Sequence, residues 1–112
     1  MGFRSTVVIA IDKKALFKQT LLLNNKIPEL FHKDACNKID ETDEAKYFFF
    51  SDFKWYDSYR DIRDVEDFLM LFEDEEYGKT TLNEDNTMEQ AGTPWDFGLE
   101  VQVILNTPFG EY

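Results

Sequence analysis

The sequence reads as an α+β fold, a two-layer sandwich of about four mostly antiparallel strands with two to three helices on one face. Three observations predict it. β-branched or alternating runs stand at both ends and in the middle of the chain. Two stretches between them repeat apolar residues every three or four positions, the period of a helix packed on one side. The chain of 112 residues has the size of a single domain, 43% of its residues are apolar and 16% aromatic, so it can bury a core without staples. The expected order is β-α(α)-β-α-β-β.

Ser5 to Ile11 has the length and β-branched content of a buried strand. Asp12 follows as a helix N-cap, a carboxylate that can accept the free amides of a first turn. Leu16, Thr20, Leu23 and Ile27 then form one helical face, interrupted by Asn24-Asn25. Pro28 suits a helix's first turn, so a second short helix is expected from Pro28 to about Lys38. Asp40-Glu41-Thr42-Asp43-Glu44 reads as a polar connector.

Lys46 to Tyr56 is the most aromatic stretch. Strict alternation would put Tyr47, Phe49, Phe53 and Trp55 on one side and Phe48 and Phe50 on the other, as in a central strand whose far end emerges to solvent. Ser58 and Asp61 have capping-box spacing and open a helix buried along Ile62, Val65, Phe68, Leu69 and Phe72. Glu73-Asp74-Glu75-Glu76 would lie at that helix's C-terminus, the wrong end for the macrodipole, so either the helix stops early or these acids serve another purpose. Gly78 is the expected left-handed residue after the helix. Lys79 to Leu82 is a short strand, Asn83 to Asn86 a turn, Gly92-Thr93-Pro94 a break, and Leu99 to Leu105 an alternating last strand.

The net charge of −11 is unevenly spread. Residues 1–39 hold seven Lys and Arg against three Asp and Glu, a net of +4; the remainder holds five against twenty, a net of −15. Such acidity repels phosphates and anionic lipids, which argues against direct nucleic-acid or membrane binding and for a basic protein partner. Acidity also maintains solubility, but −11 on a chain this short exceeds what solubility usually requires. One cysteine, Cys36, permits no internal disulfide, and no segment has the length of a signal core or membrane span, so the cytosol is the expected compartment. Met1 to Thr6 fits the myristoylation pattern, which is too permissive to carry an argument.

The catalytic and metal motifs fail one by one. His32, Cys36 and Asp40 recur at helical spacing, but structural zinc wants four ligands and favours paired cysteines; no cofactor or metal site is expected. Asn83, Asp85, Thr87 and Glu89 echo a calcium loop, yet Met88 and Pro94 stand where that loop needs glycine and a bidentate glutamate. Asp96-Phe97-Gly98 spells a kinase tripeptide without the rest of a kinase. Asp52 and Asp57, beside Phe53, Trp55 and Tyr56, are the acids with the most apolar neighbours, an arrangement that serves a binding hot spot as well as an active site.

Lys54-Trp55-Tyr56-Asp57-Ser58-Tyr59, the acidic stretch Asp61 to Leu71, Tyr77-Gly78, Asn83-Glu84-Asp85 and Gly92-Thr93-Pro94-Trp95-Asp96-Phe97-Gly98 together resemble small acidic uncharacterised bacteriophage proteins. Arg60 stands where that pattern has proline, and the likeness spans about half the chain and carries no site residue across. It implies a host-takeover or counter-defence setting, in which small acidic proteins occlude nucleic-acid-binding surfaces.

The expected function is therefore non-enzymatic: binding to a basic, nucleic-acid-handling protein through Asp57, Asp61, Asp64, Asp67, Glu73, Asp74, Glu75 and Glu76, with Trp55 and Tyr59 as aromatic anchors. The rival expectation is a self-associating or subunit-type structural protein, in which the basic N-terminal third of one copy docks on the acidic remainder of another. An enzyme gathering Asp52, Asp57 and Tyr59 in a dry pocket ranks third.

Overall fold

A computed structural model describes residues 5–24, 26–31, 38–56, 58–83 and 87–97. The elements are β1 (Ser5–Asp12), α1 (Lys13–Leu22), β2 (Lys38–Glu41), β3 (Ala45–Phe53), α2 (Arg60–Leu69), β4 (Tyr77–Asn83) and β5 (Met88–Gly92), with 3-10 turns at Glu29–Phe31, Asp74–Glu76 and Pro94–Phe97. The strands form one five-stranded sheet in the order β2-β3-β1-β4-β5, with every neighbouring pair antiparallel. Omitting β5, this is the connectivity of a split β-α-β arrangement, in which β1 lies between two strands joined by a crossover helix.

β1 occupies the centre because it is apolar on both faces. Val7, Ile9 and Ile11 point to the helical side, Val8 and Ala10 to the other, and all five are fully buried. The helical side holds the larger core: Phe48 and Phe50 from β3, Ile62, Val65, Phe68, Leu69 and Phe72 from α2 and the chain after it, and Leu30 and Phe31 from the 3-10 turn. Phe31 lies 4.5 Å from Phe48 and 5.5 Å from Phe68 between ring centroids, joining sheet to helix. The α2 stripe expected from its period is buried at all five positions.

Several expectations require correction. Lys38 begins β2, so no second helix reaches it; the described part of that segment is the turn Glu29–Phe31. The connector is half strand, since Asp40 and Glu41 pair with Tyr47 and Lys46 across the β2–β3 hairpin. β5 lies where only a turn and a break were expected, and both unforeseen strands are polar and stand at the edges of the sheet among the described residues. An edge strand needs one buried side chain or none, and its polar residues discourage further pairing, so it leaves no alternation to read. The strand expected at Leu99–Leu105 lies outside the described residues.

Alternation in β3 breaks at its far end. Ser5 of β1 pairs with Phe53 and Val7 with Phe50, so β3 spends one extra residue there. The bulge turns Phe53 onto the helical side, where it and Trp55 pack on Phe50, each at 5.2 Å between centroids.

Helix boundaries also shift. Asp12 caps α1 as expected, its Oδ2 accepting the Ala15 amide at 3.1 Å. In α2 the cap is Tyr59, without a side-chain capping bond, so the Ser58–Asp61 box does not form. α2 stops at Leu69, and the acids after it open the turn Asp74–Glu76 from its N-terminal side, where negative charge is favoured. Gly78 lies within β4; among the described residues the glycine at positive φ is Gly92, at 68°, ending β5. No helix among the described residues is long and apolar enough to cross a membrane.

Candidate functional site

The sheet register collects the acidic turns at one end of the molecule. Asp12 of β1 lies opposite Ala45, Ile11 opposite Tyr77, Lys46 opposite Glu41, and Gly78 opposite Gly92. The β2–β3 turn, the turn Asp74–Glu76 and the chain leaving β5 therefore sit at the same end. β3 and β4 flank β1, so the first two turns stand about 10 Å apart, two interstrand spacings.

Asp40, Glu41, Asp43, Glu44, Glu73, Asp74, Glu75 and Asp96 are exposed there. Lys13 offsets part of this charge through an ion pair with Glu41 at 2.9 Å; its hydrogen bond first, and its positive charge second, lower the pKa of the Glu41 carboxyl. Two half-buried tyrosines mark the inner side. Tyr47 donates its hydroxyl proton to the Phe97 carbonyl at 3.0 Å. Burial raises its pKa, assisted by the negative charges of Asp40 and Glu44. Tyr77 is raised likewise, by burial first and then by Asp74 and Glu66.

Among the described residues, one exposed aromatic stands among these acids. Trp95, 60% exposed, rides on the turn Pro94–Phe97 beside Asp96. That turn is held tightly to the sheet. A Cβ on Gly78 would lie 2.5 Å from Pro94 Cα, so only glycine allows the approach. The Thr93 amide donates to the Tyr77 carbonyl at 2.9 Å, and its hydroxyl to the Asp74 carbonyl at 3.1 Å. Trp95 is thus fixed relative to the acidic turn Asp74–Glu76.

The expected site residues divide between the two ends. Glu73, Asp74, Glu75 and Glu76 belong to the acidic end; the Glu76 carboxylate accepts the Glu73 amide at 2.9 Å. Tyr59 and Asp61 lie at the opposite end, lining a pocket of about 460 Å³ with Leu30, Phe53, Lys54 and Arg60. Asp64 and Asp67 are exposed on α2, interleaved at helical spacing with Arg60 and Arg63. Asp57, His32 and Cys36 lie outside the described residues.

Trp55 is no free anchor. Its indole donates to Glu66 Oε2 at 2.9 Å, and Lys79 lies 5.9 Å from its ring centre while pairing with the same carboxylate. The three side chains join the chain after β3, α2 and β4, a structural clamp. Sequence reasoning missed Trp95, and it counted the Asp40–Glu44 connector in the acidic surface without naming its residues as site residues; a Trp-Asp pair after a glycine-proline break was the available signal for the first.

Among the described residues no cluster of three His, Cys, Asp or Glu could hold a metal ion. Comparison with known proteins found no matching family model, curated protein or solved structure.

Proposed function

We propose that this chain is a binding protein whose acidic sheet end occupies a basic, nucleic-acid-binding surface on another protein. The observation that carries this reading is the gathering of two acidic turns at one end of a rigid sheet. Five strands span about 19 Å, so eight exposed carboxylates amount to about one per 2.4 Å, or about one per 3 Å once Lys13 and Lys46 are set against them. Duplex DNA presents about one charge per 1.7 Å of axis, which puts the two densities within a factor of two. Trp95 adds the aromatic contact that dominates many interfaces. The resemblance to small phage proteins supplies the setting: a bacterial cytoplasm in which such a partner is a DNA- or RNA-handling protein.

Capture from a bacterial lysate tests this. The immobilised chain is compared with a variant carrying Asp43→Asn, Glu44→Gln, Asp74→Asn and Glu75→Gln, positions whose side chains are exposed. The native chain should retain a basic protein that the variant does not, and both salt and added duplex DNA should release it. Identical capture by the two, or a captured protein indifferent to DNA, contradicts the reading.

A further inference from the structure

The helical layer presents an apolar stripe that the acidic end does not use. α1 turns Ala15, Leu16, Gln19, Thr20 and Leu23 inward, yet its outer side carries Phe17, Leu21 and Leu22, which are 66%, 58% and 66% exposed. Lys14 and Lys18 stand between them at helical spacing, so the stripe is basic as well as apolar. Large apolar side chains clustered in this way on a small chain mark an interface.

The complement of that stripe lies in the same layer. α1 and α2 are neighbours, with the Gln19 amide donating to the Leu71 carbonyl at 3.3 Å. Asp64 and Asp67 are exposed on α2 and have no ion pair or hydrogen bond from their carboxylates among the described residues. Met70 and Leu71, 80% and 49% exposed, follow them. One surface thus holds a basic-apolar helix beside one of net negative charge, since Arg60 and Arg63 offset only two of the four acids Asp61, Asp64, Glu66 and Asp67. A two-fold rotation turns such a pair into its own complement, because every contact of α1 with the partner's α2 is made twice.

We propose that this outer helical face is the interface of a homodimer, with α1 of each copy lying on α2 of the other. Two helices of ten residues are about 15 Å long and together about 20 Å wide. That footprint falls below the roughly 800 Å² per partner of a standard interface, which places the dimer among weak, reversible associations, and the test is set for a dissociation constant of micromolar order. The proposal is independent of the binding role, since it leaves the acidic sheet ends exposed.

Sedimentation equilibrium on the full chain tests it with three samples at about 100 µM, well above a micromolar dissociation constant. The native chain should show twice its 13.3 kDa mass. One variant carries Lys14→Glu and Lys18→Glu, another Asp64→Lys and Asp67→Lys; in either, like charges face each other and dimerisation should weaken about a hundredfold. Mixed together, the two variants restore opposite charges at both contacts and should form a heterodimer. Circular dichroism checks that each variant folds, and Leu21→Ser, which removes an apolar contact without touching the charges, should also give a monomer. A native chain of 13.3 kDa at this concentration, variants that dimerise like it, or a mixture that stays monomeric overturns the proposal.

Discussion

Glu66 is the residue whose loss should be felt furthest. Its carboxylate accepts the Trp55 indole proton and pairs with Lys79, whose side chain is largely buried. Glu66→Gln leaves that ammonium without its counter-charge in a place water reaches poorly. It should therefore cost about 1–3 kcal/mol, the range for breaking a partly buried charged contact, read as a lower denaturant midpoint. The double variant with Lys79→Met should recover part of this loss, because the orphaned charge is gone. Gly78 is a second position with no freedom: its alanine variant must push the turn Pro94–Phe97 off β4. The expected cost is about 1–3 kcal/mol, with a changed near-ultraviolet signal from Trp95 as that turn shifts.

The strands at the acidic end carry two tyrosines that couple stability to alkaline pH. Burial raises the pKa of both Tyr47 and Tyr77, so the native state keeps their protons where the unfolded chain has begun to release them. Their contribution is fully present below the ordinary tyrosine pKa of about 10 and is lost as pH rises through the raised values. Thermal unfolding followed between about pH 9 and pH 11 should show this fall, and Tyr47→Phe should reduce it.

The same elements show what was legible in the sequence. β1 was readable as a continuous β-branched run buried on both faces, β4 as a short run between turn signals, and α2 because burial stamps a 3.6-residue period on a helix. β2 and β5 were not, since a short polar strand carries little buried alternation and owes its place to the neighbouring hairpin strand it pairs with. The bulge in β3 reversed the facing of Phe53 for a related reason: nothing local announces an extra residue. The candidate site was half visible. Glu73–Glu76 stood out as a charge run at the wrong end of a helix, but its meeting with Asp40–Glu44 depends on the sheet order.

The topology decides where the charge of the whole chain collects. A net of −11 with eight exposed carboxylates at one end makes self-repulsion a term in stability as well as in recognition. Raising the ionic strength from about 0.01 M to about 1 M, which shortens the Debye length from about 30 Å to about 3 Å, should raise the melting temperature. The variant neutralised at Asp43, Glu44, Asp74 and Glu75 should show a smaller rise. The central claim is that the acidic end stands in for nucleic acid, and competition measures it most directly. A labelled DNA duplex bound to the captured partner is titrated with the native chain and its fluorescence anisotropy followed. Displacement by the native chain, at least tenfold weaker for the neutralised variant, is the predicted result, about 1.4 kcal/mol of binding energy. Equal displacement by both, or duplex that stays bound while the native chain binds beside it, would contradict it.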